Sequence, residues 1–265
     1  MKAFSKFSAI KSMAAVVALS SAPAFGSGGS QMVEWYPTFL HSLGLSEAMA
    51  HRFAPVASTA LVTIVLLVLG LYFSKKVSSA GEDLIPDERF SLRGVVEMVL
   101  DFVHNLAKDN CGHDFRGFLP LLATLFLVIL VGNLSGLIPG FTPATLDISS
   151  NLAMGLIVFG VYNVAGFREH GFGYLKQFWG PVAAIGPLFV FIEIVSHLSR
   201  PFSLSLRLAG NIFADHLILS VFTGLTYVVA PSLLMFFGLL VAGMQSFVFT
   251  LLTSIYISMA ISHDH

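Results

Sequence analysis

Residues 232–262 read SLLMFFGLLVAGMQSFVFTLLTSIYISMAIS, thirty-one residues without a charge. Wound as a helix the stretch is about 46 Å long, well beyond the roughly 30 Å hydrocarbon core of a bilayer. It offers no polar face, so it cannot lie on a soluble core. Just ahead of it, Ile185 to Tyr227 is longer still and also mainly apolar. Together they imply an all-α integral membrane protein whose last two helices form a hairpin over 181–262, divided near Ala230-Pro231. A perpendicular span needs only about 20 residues. Either each helix is bent, with Pro201 as the kink, or both lie strongly tilted. Ordinary mismatch supports moderate tilt only, so a partner surface is expected to hold them.

The rest of the chain agrees. Only 11% of the 265 residues are charged, against roughly 25% in soluble domains. The charges cluster: fourteen fall in 75–116, and 117–167 holds only Asp147. That distribution excludes a soluble enzyme and a disordered chain, and a net charge of −1 excludes a nucleic-acid binder. The single Cys111 excludes a disulfide framework and any multi-cysteine metal site.

Reading along the chain gives about five membrane passes. Residues 1–26 have the look of a signal or targeting segment: Lys2, Lys6 and Lys11, then an apolar run, then Ala22-Pro23-Ala24. Residues 27–52 follow as an external N-terminal segment, and 53–265 as one polytopic membrane domain. The first span lies between Arg52 and Lys75, the second over Gly117–Ile138 and the third over Asn151–Phe167, with a turn-like loop at Pro139–Ser150. Between the first two, Phe90 to Lys108 is amphipathic, with Val95, Val96, Val99, Leu100, Val103 and Leu106 at helical spacing, and reads as an interfacial helix. The positive-inside rule places 75–116 and 168–176 in the cytoplasm, the mature N-terminus outside and the C-terminus inside.

Ionisable residues inside the hairpin carry the chemistry. Glu193, His197, Arg200, Arg207, Asp215 and His216 sit among apolar neighbours, where an arginine costs at least roughly 2.5–3.5 kcal/mol. Glu193, Arg200 and Arg207 recur every seven residues, which keeps them on one stripe, and Asn211 extends it. His216 lies nine residues past Arg207 and points to the opposite side. Arginine cannot release its proton in a protein, so Arg207 can only attract a carboxylate or repel a cation. Glu193, His197, Asp215 and His216 can titrate. A fixed cation flanked by titratable groups suits a gate; the plainer alternative is that the arginines pair with Glu193 and Asp215 to stabilise packing.

Ser203-Leu204-Ser205-Leu206-Arg207-Leu208-Ala209-Gly210-Asn211-Ile212 resembles the arginine-bearing helix of subunit a of F-type ATP synthases of the bacterial type. Asn133 to Gly140, Pro143-Ala144-Thr145, His170-Gly171 through Gly180-Pro181, and Met244-Gln245-Ser246-Phe247-Val248-Phe249 fit the same family. The resemblance runs from about residue 35 to the end. It implies a non-catalytic, proton-translocating stator subunit in the inner membrane, packed against a rotating ring of c subunits and held by peripheral-stalk b subunits. Arg207 would face each ring carboxylate in turn, between two offset half-channels lined by Glu193, Asn211, His216 and Gln245; His197, Asp215 and Asp147 are further candidates. No cofactor and no metal is implied, and the ion, H⁺ or Na⁺, is selected on the partner. The chain departs from some bacterial relatives in having His216 for a glutamate and Gly238 for a histidine.

Two rival readings stand beside it. A stand-alone multi-pass ion transporter would show inverted repeats with broken helices, and the front half has no counterpart to the long arginine helix. An intramembrane hydrolase needs a nucleophile and base in reach; Ser203 and Ser205 near His197 are the only candidates, and no elbow motif supports them. Asp147 could shape the external channel mouth or cap the following helix. His263 and His265 read as a solvated tail.

Overall fold

The computed structural model describes residues 41–42, 46–79, 92–112, 115–138, 141, 143–171, 173–174, 186–225 and 229–261. The targeting segment, the 175–185 link and the His263–His265 tail lie outside them. Among the described residues six long helices follow in order: α1 Glu47–Ser79, α2 Leu92–Cys111, α3 Phe115–Ser135, α4 Ile148–His170, α5 Gly186–Leu225 and α6 Val229–Ile261. No strand occurs among the described residues. The protein is an all-α, multi-pass membrane protein.

Among the described residues four stretches are long and apolar enough to cross a bilayer: Phe53–Ser74, Phe115–Ser135, Ile148–His170 and Ser232–Ile261. Helix α5, forty residues long, carries Glu193, Arg200, Arg207 and Asp215 along its length. Helix α2 is no span, and it packs onto α3 and α6 through the fully buried Val103 and Ala107.

Helix α5 ends at Leu225 and α6 begins at Val229, beside Ala230-Pro231, so that Pro231 lies in the first turn of α6. There its missing N–H would have had no helical partner anyway. Helix α5 runs on through Pro201 without a break in its helical assignment. Pro201 leaves the His197 carbonyl without its usual amide donor; the Tyr162 hydroxyl lies 3.5 Å from that carbonyl. A different bond recurs after each internal proline. Ser58 and Thr59 donate to the Pro55 carbonyl, Thr124 to that of Pro120 and Ser205 to that of Pro201, at 2.7–2.9 Å. In hydrocarbon no water can accept these hydroxyl hydrogens, so the helix's own carbonyls take them.

The core lies where α3, α4, α5 and α6 meet. Leu122, Leu125 and Ile129 of α3 and Val158 and Tyr162 of α4 are buried there with Leu208 of α5 and Ile257 of α6. The inner face of α6 is lined by small hydroxyl residues, and Ser246, Thr250 and Thr253 return their hydrogens to their own helix. That lets helices approach without stranding a donor. Helix α1 packs on α3 and exposes Ile64, Val68 and Leu71 along much of its length, as a lipid-facing span should.

Cys111 closes α2 against α6, its thiol beside the Ser254 hydroxyl at 3.5 Å. Burial pushes that thiol's pKa up, and the Ser254 contact pulls it back in part. Maleimide should therefore label Cys111 far more slowly than a free thiol, with the rate still climbing at pH values where a free thiol is already ionised. Ala107→Phe, which overpacks the α2 seam, should speed the labelling sharply. Equal rates in parent and variant would show that α2 is not seated as described.

Candidate functional site

On a continuous helix Arg207 stands about 12 Å from Asp215 and about 21 Å from Glu193 along the axis. Arg200 is likewise about 10 Å from Glu193. At such axial separations a pair within α5 would need both side chains fully extended toward each other. Arg200 instead lies over the Tyr256 ring of α6, 5.2 Å from its centroid, a cation–π contact. Arg207 is exposed, on an outer face that also exposes Phe202, Leu206, Phe213 and Leu217. Glu193, Arg200 and Asn211 are half-buried along the flank of the same helix.

The inner face of α5 holds two polar groups, on either side of Arg207. Toward the α5 N-terminus, His197 is buried between the Phe159 and Tyr162 rings, each meeting it edge-on. Its Nε2 lies 2.9 Å from Asn163 Oδ1. An amide oxygen only accepts, so this nitrogen carries the hydrogen. Asn163 anchors itself through Nδ2 to the Phe159 carbonyl, and its Oδ1 also receives the Tyr174 hydroxyl at 3.5 Å. Burial raises the Tyr174 phenol above its ordinary range, with the nearby Arg200 guanidinium acting against it.

Toward the α5 C-terminus, Asp215 and His216 line a cleft with Asn133, Gly136, Leu137 and Gly238. Two glycines make room for it. A Cβ on Gly136 would lie 2.7 Å from Pro143 Cβ and 3.0 Å from His216 Nε2, so the imidazole occupies the space a side chain there would need. A Cβ on Gly238 would meet Leu137 Cδ2 at 2.8 Å. Gly238 is thus a packing point of α6 on the end of α3, and His216 enters the neighbouring space from α5.

Beside the cleft lies a polar cluster absent from the sequence reading. Thr145 Oγ1 donates to Asn133 Oδ1, and Asn151 Nδ2 donates to the Thr145 carbonyl. Four buried atoms here have no protein partner: Asn133 Nδ2, Asp147 Oδ2, Ser150 Oγ and Asn151 Oδ1. Asp147 occupies the N-cap position of α4 but makes no side-chain capping bond. Its backbone carbonyl takes the Asn151 N–H at 3.3 Å, and burial holds its carboxyl above the usual aspartate range, opposed by the Ser149 and Ser150 groups. Gln245 is buried on the inner face of α6 near Ala242 of the cleft. Single polar residues in a span are the signal that points to Asn133, Asn151 and Asn163, but which of them meet is set by helix pairing. No cluster of three or more metal-ligating side chains occurs among the described residues.

Comparison with known proteins places these groups in a family. Residues 56–258 match the model of the family described as ATP synthase A chain. The chain is 39% identical over 222 residues to an ATP synthase subunit a from Bdellovibrio bacteriovorus, covering 83% of this chain and 97% of that one. It is 40% identical over 233 residues to one from Geobacter sp. strain M21, covering 88% and 97%. A third, from Trichlorobacter lovleyi, is 40% identical over 225 residues, covering 85% and 93%.

The Asp147 environment makes a prediction whose sign is fixed. Because its folded pKa is raised, the folded protein binds this proton more tightly than the unfolded chain, and ionisation costs stability as pH rises above the ordinary aspartate value of about 3.9. Asp147→Asn, which imitates the protonated form, should raise the thermal midpoint of the purified protein at neutral pH, and the gain should vanish below about pH 4. A lower midpoint for the Asn variant at neutral pH would show a carboxylate held by a favourable partner.

Proposed function

The chain belongs to the ATP synthase A chain family, and from that premise we propose that it is the stator subunit that carries protons past a rotating ring of c subunits. One observation carries the reading. Arg207, which cannot be neutralised, stands exposed on an apolar face of α5. Left to lipid, that cation is costly; opposite a carboxylate on a partner, it is matched. A self-contained carrier would enclose its cation among its own helices, so exposure favours a partner over the stand-alone reading.

Protons would reach that face from two sides. Asp215 and His216 form one terminal station, approached from the 143–147 loop past Asn133, Asp147, Ser150 and Asn151. Four partnerless buried polar atoms support this, since such atoms in native proteins are ordinarily served by water. Glu193, Asn211 and His197 belong to the other approach, which begins near Tyr174, and Gln245 lies between α6 and the cleft. With the mature N-terminus outside, the Asp215 approach opens to the exterior and the His197 approach to the cytoplasm. The proton-motive force then acts across the apolar section between them, with about 2.3 kcal/mol per charge per 100 mV available. Stalk b subunits would hold the chain against the torque of the ring.

Replacing Arg207 by Ala in inverted vesicles should abolish ATP-driven proton pumping, while ATP hydrolysis by the detached soluble sector persists. Unaffected pumping would sink the proposal. Copurification of a small two-helix ring proteolipid with the chain is the second expected result, and a stand-alone carrier would not bring it down.

A further inference from the structure

We propose that Gly155 sets how far Arg207 stands out from the bundle: a seam of Gly155 and Asn151 on α4 against Pro201 and Ser205 on α5 positions the guanidinium against its partner. The inference rests on the role proposed above for Arg207. At this seam the two helices meet backbone to backbone. A Cβ on Gly155 would lie 2.7 Å from Ser205 Oγ and 2.8 Å from the Pro201 carbonyl oxygen. A flexible side-chain end could swing aside, but a helix carbonyl cannot, so any larger residue at 155 must push α5 outward.

The seam is also bonded shut. The Ser205 hydroxyl reaches the Pro201 carbonyl at 2.7 Å and the Asn151 carbonyl of α4 at 3.0 Å. Its one hydrogen serves both sides of the interface. One turn earlier, Tyr162 of α4 holds the His197 carbonyl that Pro201 leaves without an amide donor. Leu204 and Leu208 pack the flanks of the same contact with almost no exposure. Proline thus does more than interrupt a ladder: it turns polar backbone toward α4, and α4 answers with a tyrosine, an asparagine carbonyl and a missing side chain.

Arg207 lies two residues past Ser205, about 3 Å along the axis and on nearly the opposite side of the helix. A shift of α5 away from α4 at Ser205 therefore appears almost undiminished as an advance of Arg207 toward whatever faces it. Gly160, further along α4, differs. A Cβ there would meet nothing within 4 Å, which makes it the internal control.

The test is ATP-driven proton pumping in inverted vesicles, normalised to the amount of fully assembled complex, for Gly155→Ala, Gly160→Ala, Ser205→Thr and Arg207→Ala. Misplacing a reacting group by about 1 Å can cost of order a hundredfold, so Gly155→Ala is expected to lose roughly tenfold or more of pumping per complex. Ser205→Thr keeps the hydroxyl but adds a methyl to the seam, and should fall in the same direction. Gly160→Ala should pump like the parent. Adding Ser205→Ala to Gly155→Ala should restore part of the loss, because one of the two clashing atoms is gone and the Pro201 carbonyl remains. A drop in assembly alone, with pumping per assembled complex preserved in both seam variants, overturns the positioning role. Normal pumping by Gly155→Ala beside a dead Arg207→Ala does the same while leaving the proposed function intact. Pumping by Arg207→Ala would remove the premise itself.

Discussion

An arginine in an apolar helix surface is the constraint from which the rest of the chain can be understood. The guanidinium keeps its charge at every accessible pH, so the chain cannot relieve the cost of its burial by releasing a proton. Two outcomes remain: pair it internally or turn it outward. The rise of α5 sets Glu193 and Asp215 far from Arg207 along the axis. The inner face of α5 is already filled by Leu204, Ser205, Leu208 and Ile212. Arg207 accordingly stands outside, on a surface that requires a charged counterpart.

Holding it there takes a rigid backing, and the means is hydrogen bonding to the backbone. Each of α1, α3 and α5 has an internal proline whose carbonyl also takes a hydroxyl hydrogen from three or four residues on. The two ends of the bundle then differ in a telling way. Around His197 the polar side chains satisfy one another, through Asn163 and Tyr174, and aromatic rings close over the imidazole. Around Asn133 and Asn151 they do not, and four buried atoms point at no protein group. Unsatisfied polar atoms cost about 1–3 kcal/mol each unless water reaches them, so under the proposed function the second end is the one that calls for water.

Much of this was readable in the sequence, for identifiable reasons. The charge-free run to Ser262 admits only a membrane helix, and the nine-residue step from Arg207 to His216 puts them on opposite faces whatever the tertiary packing. The sequence could place the division of the hairpin near Ala230-Pro231 but not the role of Pro231, because proline after a loop and proline opening a helix look alike in one dimension. Asp147 left two roles open; it does stand at the N-cap position of α4, where the Ser149 and Ser150 groups pull on its carboxyl. The Asn133–Thr145–Asn151 and His197–Asn163 pairings were invisible. Each joins lone polar residues from different helices or a loop, and no periodicity records which helices become neighbours. Gly155 was invisible too, since its meaning lies in the carbonyl opposite.

The placement of apolar residues along α5 carries a last consequence. Between His197 and the Asp215–His216 cleft, the inner face runs through Leu204, Leu208 and Ile212, all buried. The only hydroxyl on that path, Ser205, is committed to two carbonyls. That strip of α5 itself offers a proton no free acceptor. His197 and His216 lie about 15 Å and about 13 Å from the level of Arg207 on its two sides. Under the proposed function, a proton that enters at one end and leaves at the other would leave the inner face of α5 and cross on the outer one, at the height of the guanidinium. There a positive charge would repel it unless it travelled as the neutral form of a carboxylic acid. The leucines that pack the core and the arginine that faces away from it are both consistent with a moving carboxyl group supplied by the proposed partner.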